Sequence, residues 1–346
     1  MVRRVPMRAR PLLLLAAVLS PFALAGAQAS VTGTVFDSLR TNAWLASPTV
    51  VIPELARYTT ADARGRFRFD SVPAGRFTLT FLHPSLDALD VAAPIVALIV
   101  PERGTVSVPL TTPAPATLYA RLCPNASDTA TGFLLGRVRD VDDAVPLARA
   151  IVTAEWSEYG LERGKLKAHA ARTSSATNAA GAYVLCGVPS DVESQVYVFA
   201  RGYAAGPIPV SLAEQLFVHL NMAVSQRDSA ARFTPEQFAD TTRPRQQFAS
   251  WPGRAAVTGT TRSAQGGAIS TAFVGVLGAS GTTHVDSAGR FRLPGVAAGT
   301  RAVQVRAIGM APTTLALDLP VGVTVDTTIR VEQRAQTLAG VEVLGQ

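Results

Sequence analysis

The sequence predicts an all-β protein: three tandem antiparallel β-sandwich modules behind an export signal. Three observations carry that expectation. One turn-and-strand block recurs three times, the segments around it alternate apolar and polar residues with the two-residue period of strands, and little of the chain shows helical periodicity.

The export signal comes first. Arg3, Arg4, Arg8 and Arg10 precede an apolar run, Leu12 to Leu24, and Ala25-Gly26-Ala27 has the small-x-small form of a cleavage site. Residues 1–27 are therefore read as a signal peptide, with Gln28 as the first mature residue. The run is shorter than the roughly 20 apolar residues a membrane helix needs, and no later stretch reaches about 18, so no transmembrane segment is expected after cleavage.

The chain has 346 residues and a net charge of +7. Loss of the signal removes four of the arginines and no acid. The remaining bases are scattered among acids rather than gathered on one stretch, so a nucleic-acid partner is not expected. Of the 32 basic residues only Lys165 and Lys167 are lysines. Export places the two cysteines, Cys123 and Cys186, in an oxidising compartment, where such a pair joins. Closing a loop of that length stabilises by roughly 4 kcal/mol in the chain-entropy treatment. The alternative is two buried thiols. A zinc site is not expected, because it needs four clustered ligands.

Each copy of the repeat opens on a short strand with a glycine: Val31-Thr32-Gly33-Thr34-Val35, Leu135-Gly136-Arg137-Val138 and Val257-Thr258-Gly259-Thr260. The block follows as Asp62-Ala63-Arg64-Gly65, Asn178-Ala179-Ala180-Gly181 and Asp286-Ser287-Ala288-Gly289. An Asx residue can bond the backbone two residues on, and glycine accepts positive φ, so each is a tight turn. Alternating strands leave it: Arg66-Phe67-Arg68-Phe69, Ala182-Tyr183-Val184-Leu185 and Arg290-Phe291-Arg292-Leu293. A second turn, at Val72-Pro73-Ala74-Gly75 or Val296-Ala297-Ala298-Gly299, starts another strand with Phe77, Leu79 and Phe81, or Val303 and Val305, on one face. Val196 to Phe199 is nearly all apolar and reads as a strand buried on both faces.

The copies start roughly a hundred residues apart, a domain spacing rather than a solenoid one, so each is expected to own its core like a bead on a string. The boundaries are module 1 over 28–112, module 2 over 118–223, a polar linker over 224–254, module 3 over 255–334 and a tail over 335–346. Between modules 1 and 2, Thr111-Thr112-Pro113-Ala114-Pro115 reads as a stiff connector. Module 2 carries a polar insertion over 156–177, expected as a long hairpin loop, and Thr234-Pro235-Glu236-Gln237 in the linker could cap a short helix.

These motifs together resemble carboxypeptidase regulatory-like domains. The resemblance implies a transthyretin-like, Ig-like sandwich of the carbohydrate-binding-like group and says almost nothing of function. In the third copy, Arg306-Ala307-Ile308-Gly309-Met310-Ala311-Pro312 is similar to a segment of such domains at the N-termini of TonB-dependent outer-membrane receptors, with Met310 where a Tyr is usual. Leu338 to Val343 resembles the strand leading into the plug of those receptors. No plug or barrel strands follow within the 346 residues, so the resemblance implies no transport by this chain alone.

A search for chemistry finds none to expect. Zinc carboxypeptidases use His-x-x-Glu, but His83, His169, His219 and His284 are followed at the third place by Leu86, Arg172, Met222 and Ser287. Gly278-Ala279-Ser280-Gly281 is one residue short of a serine-hydrolase elbow and reads as a turn. Asp140-Val141-Asp142-Asp143 is the densest acid cluster; it lacks the Gly and Glu of a calcium loop and reads as a solvated turn. No catalytic residue, metal or cofactor is expected. Asn125-Ala126-Ser127 matches a glycosylation acceptor but carries no weight in a chain that reads as bacterial. Trp44, Trp156, Tyr159 and Trp251 are the aromatics outside the strand pattern. Trp156 and Tyr159, both in the insertion, are the candidate ligand contacts, against a local mini-core as the plain alternative. The expected function is a non-enzymatic cell-envelope binding module or scaffold, with an envelope polysaccharide or an outer-membrane protein as partner. The alternatives are an accessory or N-terminal part of a TonB-dependent outer-membrane receptor system, an envelope hydrolase and a simple spacer.

Overall fold

The computed structural model describes residues 29–332 apart from 90, 126–130, 163, 214, 233–252 and 280. The export signal, the tail, Trp251, Ser280, Leu338–Val343, most of Asn125–Ser127 and the expected helix at Thr234–Gln237 lie outside the described residues.

The described chain is all-β, and the three copies share one strand order. In module 1 the strands are β1 (Ala29–Asp37), β2 (Ala43–Trp44), β3 (Thr49–Ile52), β4 (Arg57–Thr60), β5 (Arg66–Val72), β6 (Gly75–Leu82), β7 (Val96–Val100) and β8 (Thr105–Thr111). One sheet runs β2-β1-β5, with β8 also on β1; the other runs β4-β3-β6-β7. Module 2 has β9 (Thr131–Asp140), β10 (Ile151–Glu162), β11 (Lys165–Ala176), β12 (Ala182–Pro189), β13 (Ser194–Ala200), β14 (Tyr203–Val210), β15 (Phe217–His219) and β16 (Met222–Val224). Its sheets run β12-β9-β15, with β16 also on β9, and β11-β10-β13-β14. Module 3 has β17 (Ala255–Ser263), β18 (Ala272–Val276), β19 (Thr282–His284), β20 (Arg290–Val296), β21 (Gly299–Ala307), β22 (Thr313–Leu319) and β23 (Thr324–Val331), in sheets β20-β17-β23 and β19-β18-β21-β22.

The repeated block is the same structure three times. Asp62 Oδ1 accepts from the amides of Arg64 and Arg66, Asn178 Oδ1 from Ala180 and Ala182, and Asp286 Oδ1 from Ala288 and Arg290. Gly65, Gly181 and Gly289 close these turns with φ of 69°, 73° and 75°, where a side chain would be strained. Their carbonyls accept from Val35, Val138 and Thr261 on the opening strands, which fixes the register of block and opener. The motif strands bury alternate residues as expected: Phe67 and Phe69, Tyr183 and Leu185, Phe291 and Leu293. Each opening glycine faces a carbonyl of the last strand or the stretch beside it: Gly33 meets Val108 O, Gly136 meets Leu220 O and Gly259 meets Thr327 O so closely that a Cβ would overlap.

The chain divides into two compact units, and the division does not follow the modules. The first unit comprises the described residues up to Phe36, Trp44–Phe81 and Ile95–Leu110; the second comprises Asp37–Ala43, Leu82–Pro94 and everything from Thr111. Within the second unit the connector is partly helical, which the sequence reading missed. Pro115 starts helix α1 (Pro115–Leu122), with Ala114 at its N-cap. Leu118 is buried, and Tyr119 lies 5.8 Å from the Phe133 ring, which stacks on Phe217 at 5.4 Å. Cys123 at the end of this helix is disulfide-bonded to Cys186 of β12, 63 residues away, with the Cα atoms 5.8 Å apart.

Two expectations are corrected here. The insertion over 156–177 is not a loop: β10 and β11 pair without a break from Ile151↔Ala176 to Glu162↔Lys165. Its outer half stands clear of the sheet, since β13 pairs only with Ile151–Glu155. Nor are modules 2 and 3 separate beads. Ala302 of β21 is part of the buried cluster of module 2, beside Val196, Ile208 and Val224. The opening of the segment read as a linker is fixed in place, with Ser225, Asp228 and Ala231 all buried.

Candidate functional site

The four histidines occupy separate places. His83 caps a short helical turn by accepting from the Ser85 amide, His284 lies against Phe273 with ring centroids 4.1 Å apart, His169 is on β11 and His219 on β15. Among the described residues no group of three or more His, Cys, Asp or Glu side chains is placed to hold a metal ion.

The acid cluster, read as a solvated turn, holds the two modules together instead. Asp140 is buried; it caps the Asp142 amide and accepts from Gln226 Nε2. Asp142 accepts from the Val321 amide of module 3 at 2.8 Å and from Ser225 Oγ at 2.8 Å. Around it runs a set of contacts that sequence reading missed. Arg139 pairs with Asp318 of β22 at 2.6 Å, Asp318 accepts from the Thr300 hydroxyl, and Thr300 accepts from the Ala223 amide at 2.6 Å. Asp228, buried, accepts from the amides of Ala230 and Ala298.

Arg301 is the centre of this boundary. Its Nη1 donates to Gly206 O at 3.0 Å and its Nη2 to Ala204 O at 3.0 Å, both on β14, while Nε and Nη2 also donate to Ala297 O and Ala298 O. The residue keeps some surface exposure, but burial of the guanidinium pulls its pKa below the ordinary arginine value to about 10, with the charge of Asp228 acting the other way. The one signal in the sequence is its phase: Arg301 alternates with the buried Val303 and Val305, an inward-reading place for a charge.

The hairpin of β10 and β11 holds both candidate contact residues. They are three apart on one strand, so they point to opposite faces. Trp156 is half-buried and donates from Nε1 to Glu158 at 3.0 Å; its face continues through the pair Glu158↔His169 to Lys167. Tyr159, 69% exposed, shares the other face with Leu161, Leu166 and Ala168, through the pairs Tyr159↔Ala168 and Leu161↔Leu166. The arm therefore has one apolar and one charged face, and no joint platform of two aromatics. At its base Arg172 pairs with the buried Glu155 at 3.5 Å.

One cavity of about 370 Å³ lies among Leu89, Leu118, Leu135, Asn178 and Tyr183. Two of its polar lining groups are already engaged. The Tyr183 hydroxyl donates to Leu220 O, with burial raising its pKa well above 10, and the Asn178 side chain serves its own turn. The Arg306–Pro312 segment forms the β21–β22 connection and leaves Ile308 87% exposed.

Among solved structures the chain is similar to the Bacillus anthracis TIE protein (11% identity over 87% of this chain and 50% of that one, TM-score 0.21), whose length it half spans. It is also similar to the Streptococcal ancillary pilin (11%, 89% and 100%, 0.19) and to BcpA, the major pilin subunit of Bacillus cereus (9%, 88% and 99%, 0.24). At these scores no arrangement or role carries over. No curated protein matches in sequence. Residues 256–332 match the carboxypeptidase regulatory-like domain family, which is not a catalytic one. Those residues span β17 to β23, so the third module is a carboxypeptidase regulatory-like domain, and the two modules before it repeat its strand order.

Proposed function

We propose that the protein is a non-catalytic scaffold of the bacterial cell envelope, in which a rigid body of modules 2 and 3 presents the β10–β11 arm to an envelope partner. The observation that carries this reading is the arm itself. Seven residues of β10 extend past the strand beside them, and Tyr159, Leu161 and Leu166 are 69%, 78% and 68% exposed on one face. Apolar side chains held on a regular two-stranded ribbon lose little conformational freedom on contact, which favours binding. An isolated tyrosine among leucines suits a protein surface better than a sugar ring, so an outer-membrane or other envelope protein is favoured over a polysaccharide. The export signal expected from residues 1–27 supports the envelope setting.

The test is co-sedimentation of the chain from Gln28 with isolated outer-membrane fraction and, separately, with envelope polysaccharide. The expected result is saturable binding to the membrane fraction, lost in Tyr159→Ser/Leu161→Ser and retained in Trp156→Ala. Binding to polysaccharide that depends on Trp156 or Tyr159 would return the sugar reading, and binding to neither would leave a spacer.

A further inference from the structure

The repeat allows equivalent edges to be compared within one chain. Each module has a sheet with two edge strands: β4 and β7, β11 and β14, β19 and β22. An edge presents unpaired amides and carbonyls, and proteins blunt such edges with charge, proline or a cover. β4 carries Arg57, β11 carries Lys165, Lys167 and Arg172, β19 carries His284 and β22 carries Asp318. β14 has Pro207 and Pro209, and its Ala204 and Gly206 carbonyls are capped by Arg301. β7 has none of these: Ile95-Val96-Ala97-Leu98-Ile99-Val100 is uncharged and proline-free, between Pro94 and Pro101. Ile95 and Ile99 are 72% and 67% exposed on its outer face, while Leu98 and Val100 turn into the core.

We propose that the β7 edge, with Ile95 just before it, is a self-association edge, through which two copies of this chain pair antiparallel over Ile95–Ile99 about a two-fold axis at Ala97. In that register the segment is complementary to itself. Ile95 of one copy meets Ile99 of the other, Val96 meets Leu98, and Ala97 meets its own equivalent. The outer face then carries four isoleucines around two alanines, and cross-strand aliphatic pairs of this kind stabilise sheets. No charge opposes the approach, and the closed two-fold contact leaves no further β7 edge for a third copy. The flanking Pro94 and Pro101 bound the ladder at both ends. Five paired residues and their outward side chains make a contact smaller than a standard specific interface, so the dimer is weak and concentration-dependent.

Sedimentation velocity of the chain from Gln28, over roughly 2–200 µM, tests this. The expected result is a reversible monomer–dimer equilibrium that Ala97→Lys weakens at least tenfold with an unchanged thermal midpoint. Ala97→Cys cross-links to itself on mild oxidation, while Tyr58→Cys, on the opposite edge strand β4, does not. The Cys variant carries the test should the Lys variant be poorly folded. A chain that stays monomeric throughout, a dimer indifferent to Ala97→Lys, or cross-linking at Tyr58→Cys as strong as at Ala97→Cys would each overturn the proposal.

Discussion

Replacing Arg301 with Met probes the boundary between modules 2 and 3 most directly. Methionine keeps the length and apolar character of the stem but removes every donor. Four carbonyl contacts are lost: two within module 3, to Ala297 and Ala298, and two across the boundary, to Ala204 and Gly206. A hydrogen bond is worth about 1 kcal/mol net, and more where a charged donor serves a buried acceptor. The loss is therefore about 3–5 kcal/mol, near the top of the range for single substitutions. About half of it belongs to the coupling between modules. Asp228, which the charge of Arg301 faces, is also left without it. The assay is chemical denaturation followed at two probes, one in each module. The wild type should show coincident transitions for modules 2 and 3, and Arg301→Met should separate them, with module 3 unfolding first. Arg301→Lys should recover only part of the loss, since an ammonium cannot span four carbonyls as a planar fork does. A variant destabilised by less than about 0.5 kcal/mol, with transitions still coincident, would refute the role assigned to Arg301.

Other outcomes follow from the same geometry. Cys123→Ser/Cys186→Ser should lower stability by roughly 4 kcal/mol, read by denaturation with and without reductant, because the bond closes a 63-residue separation. Gly259→Ala should cost about 1–3 kcal/mol in thermal unfolding, since its Cβ would overlap Thr327 O, whereas Gly160→Ala on β10, with nothing near it, should cost less. The carboxylates of Asp62 and Asp286 lie below their ordinary 3.8, held down by the amides and side chains of Arg66 and Arg290. A depressed carboxylate stabilises the fold above 3.8 and loses that contribution as pH falls through the folded value. Asp62→Asn/Asp286→Asn should thus keep the turns, as Asn178 does, and show a melting temperature that falls less than the wild type's between about pH 5 and about pH 2.

The parts of the fold visible in the sequence are those built from local chemistry. The Asx-x-x-Gly turns, the alternating strands after them and the two-sided burial of β13 all follow from residues close in the chain, and each is present. The cysteine pair was legible for a different reason, the compartment. The strand pairing of the arm is not legible because its outer half has no core beneath it: with both faces in solvent, the alternation of Tyr159 and Leu161 with Glu158 marks no buried face, and polarity reads as loop. α1 was missed because eight residues beginning at Pro115 gain their stability from Leu118, Tyr119 and the Cys123 bond rather than from their own periodicity. The module boundary was invisible because its members, Asp142, Asp228, Arg301 and Asp318, come from four distant segments and meet only through the fold.

That last point explains why one motif, used three times, leaves the joining of modules open. The turn, motif strand and opening glycine are all internal to a module, so their repetition fixes three sandwiches and nothing about how they join. What joins modules 2 and 3 lies in positions the motif leaves open. β21 starts with Gly299-Thr300-Arg301-Ala302, and every one of these residues touches module 2: Gly299 packs against Ala205, Thr300 takes the Ala223 amide, Arg301 caps the β14 edge and Ala302 enters the core. The equivalent start of β6 in module 1 is Gly75-Arg76-Phe77-Thr78. It opens on the same glycine but places Phe77, rather than an arginine fork, at the inward position two residues on. Transplanting Thr-Arg-Ala into that strand should therefore not recreate this contact set there, because the receiving carbonyls of β14 and the acids of Asp142 and Asp228 would have to be supplied from another module as well.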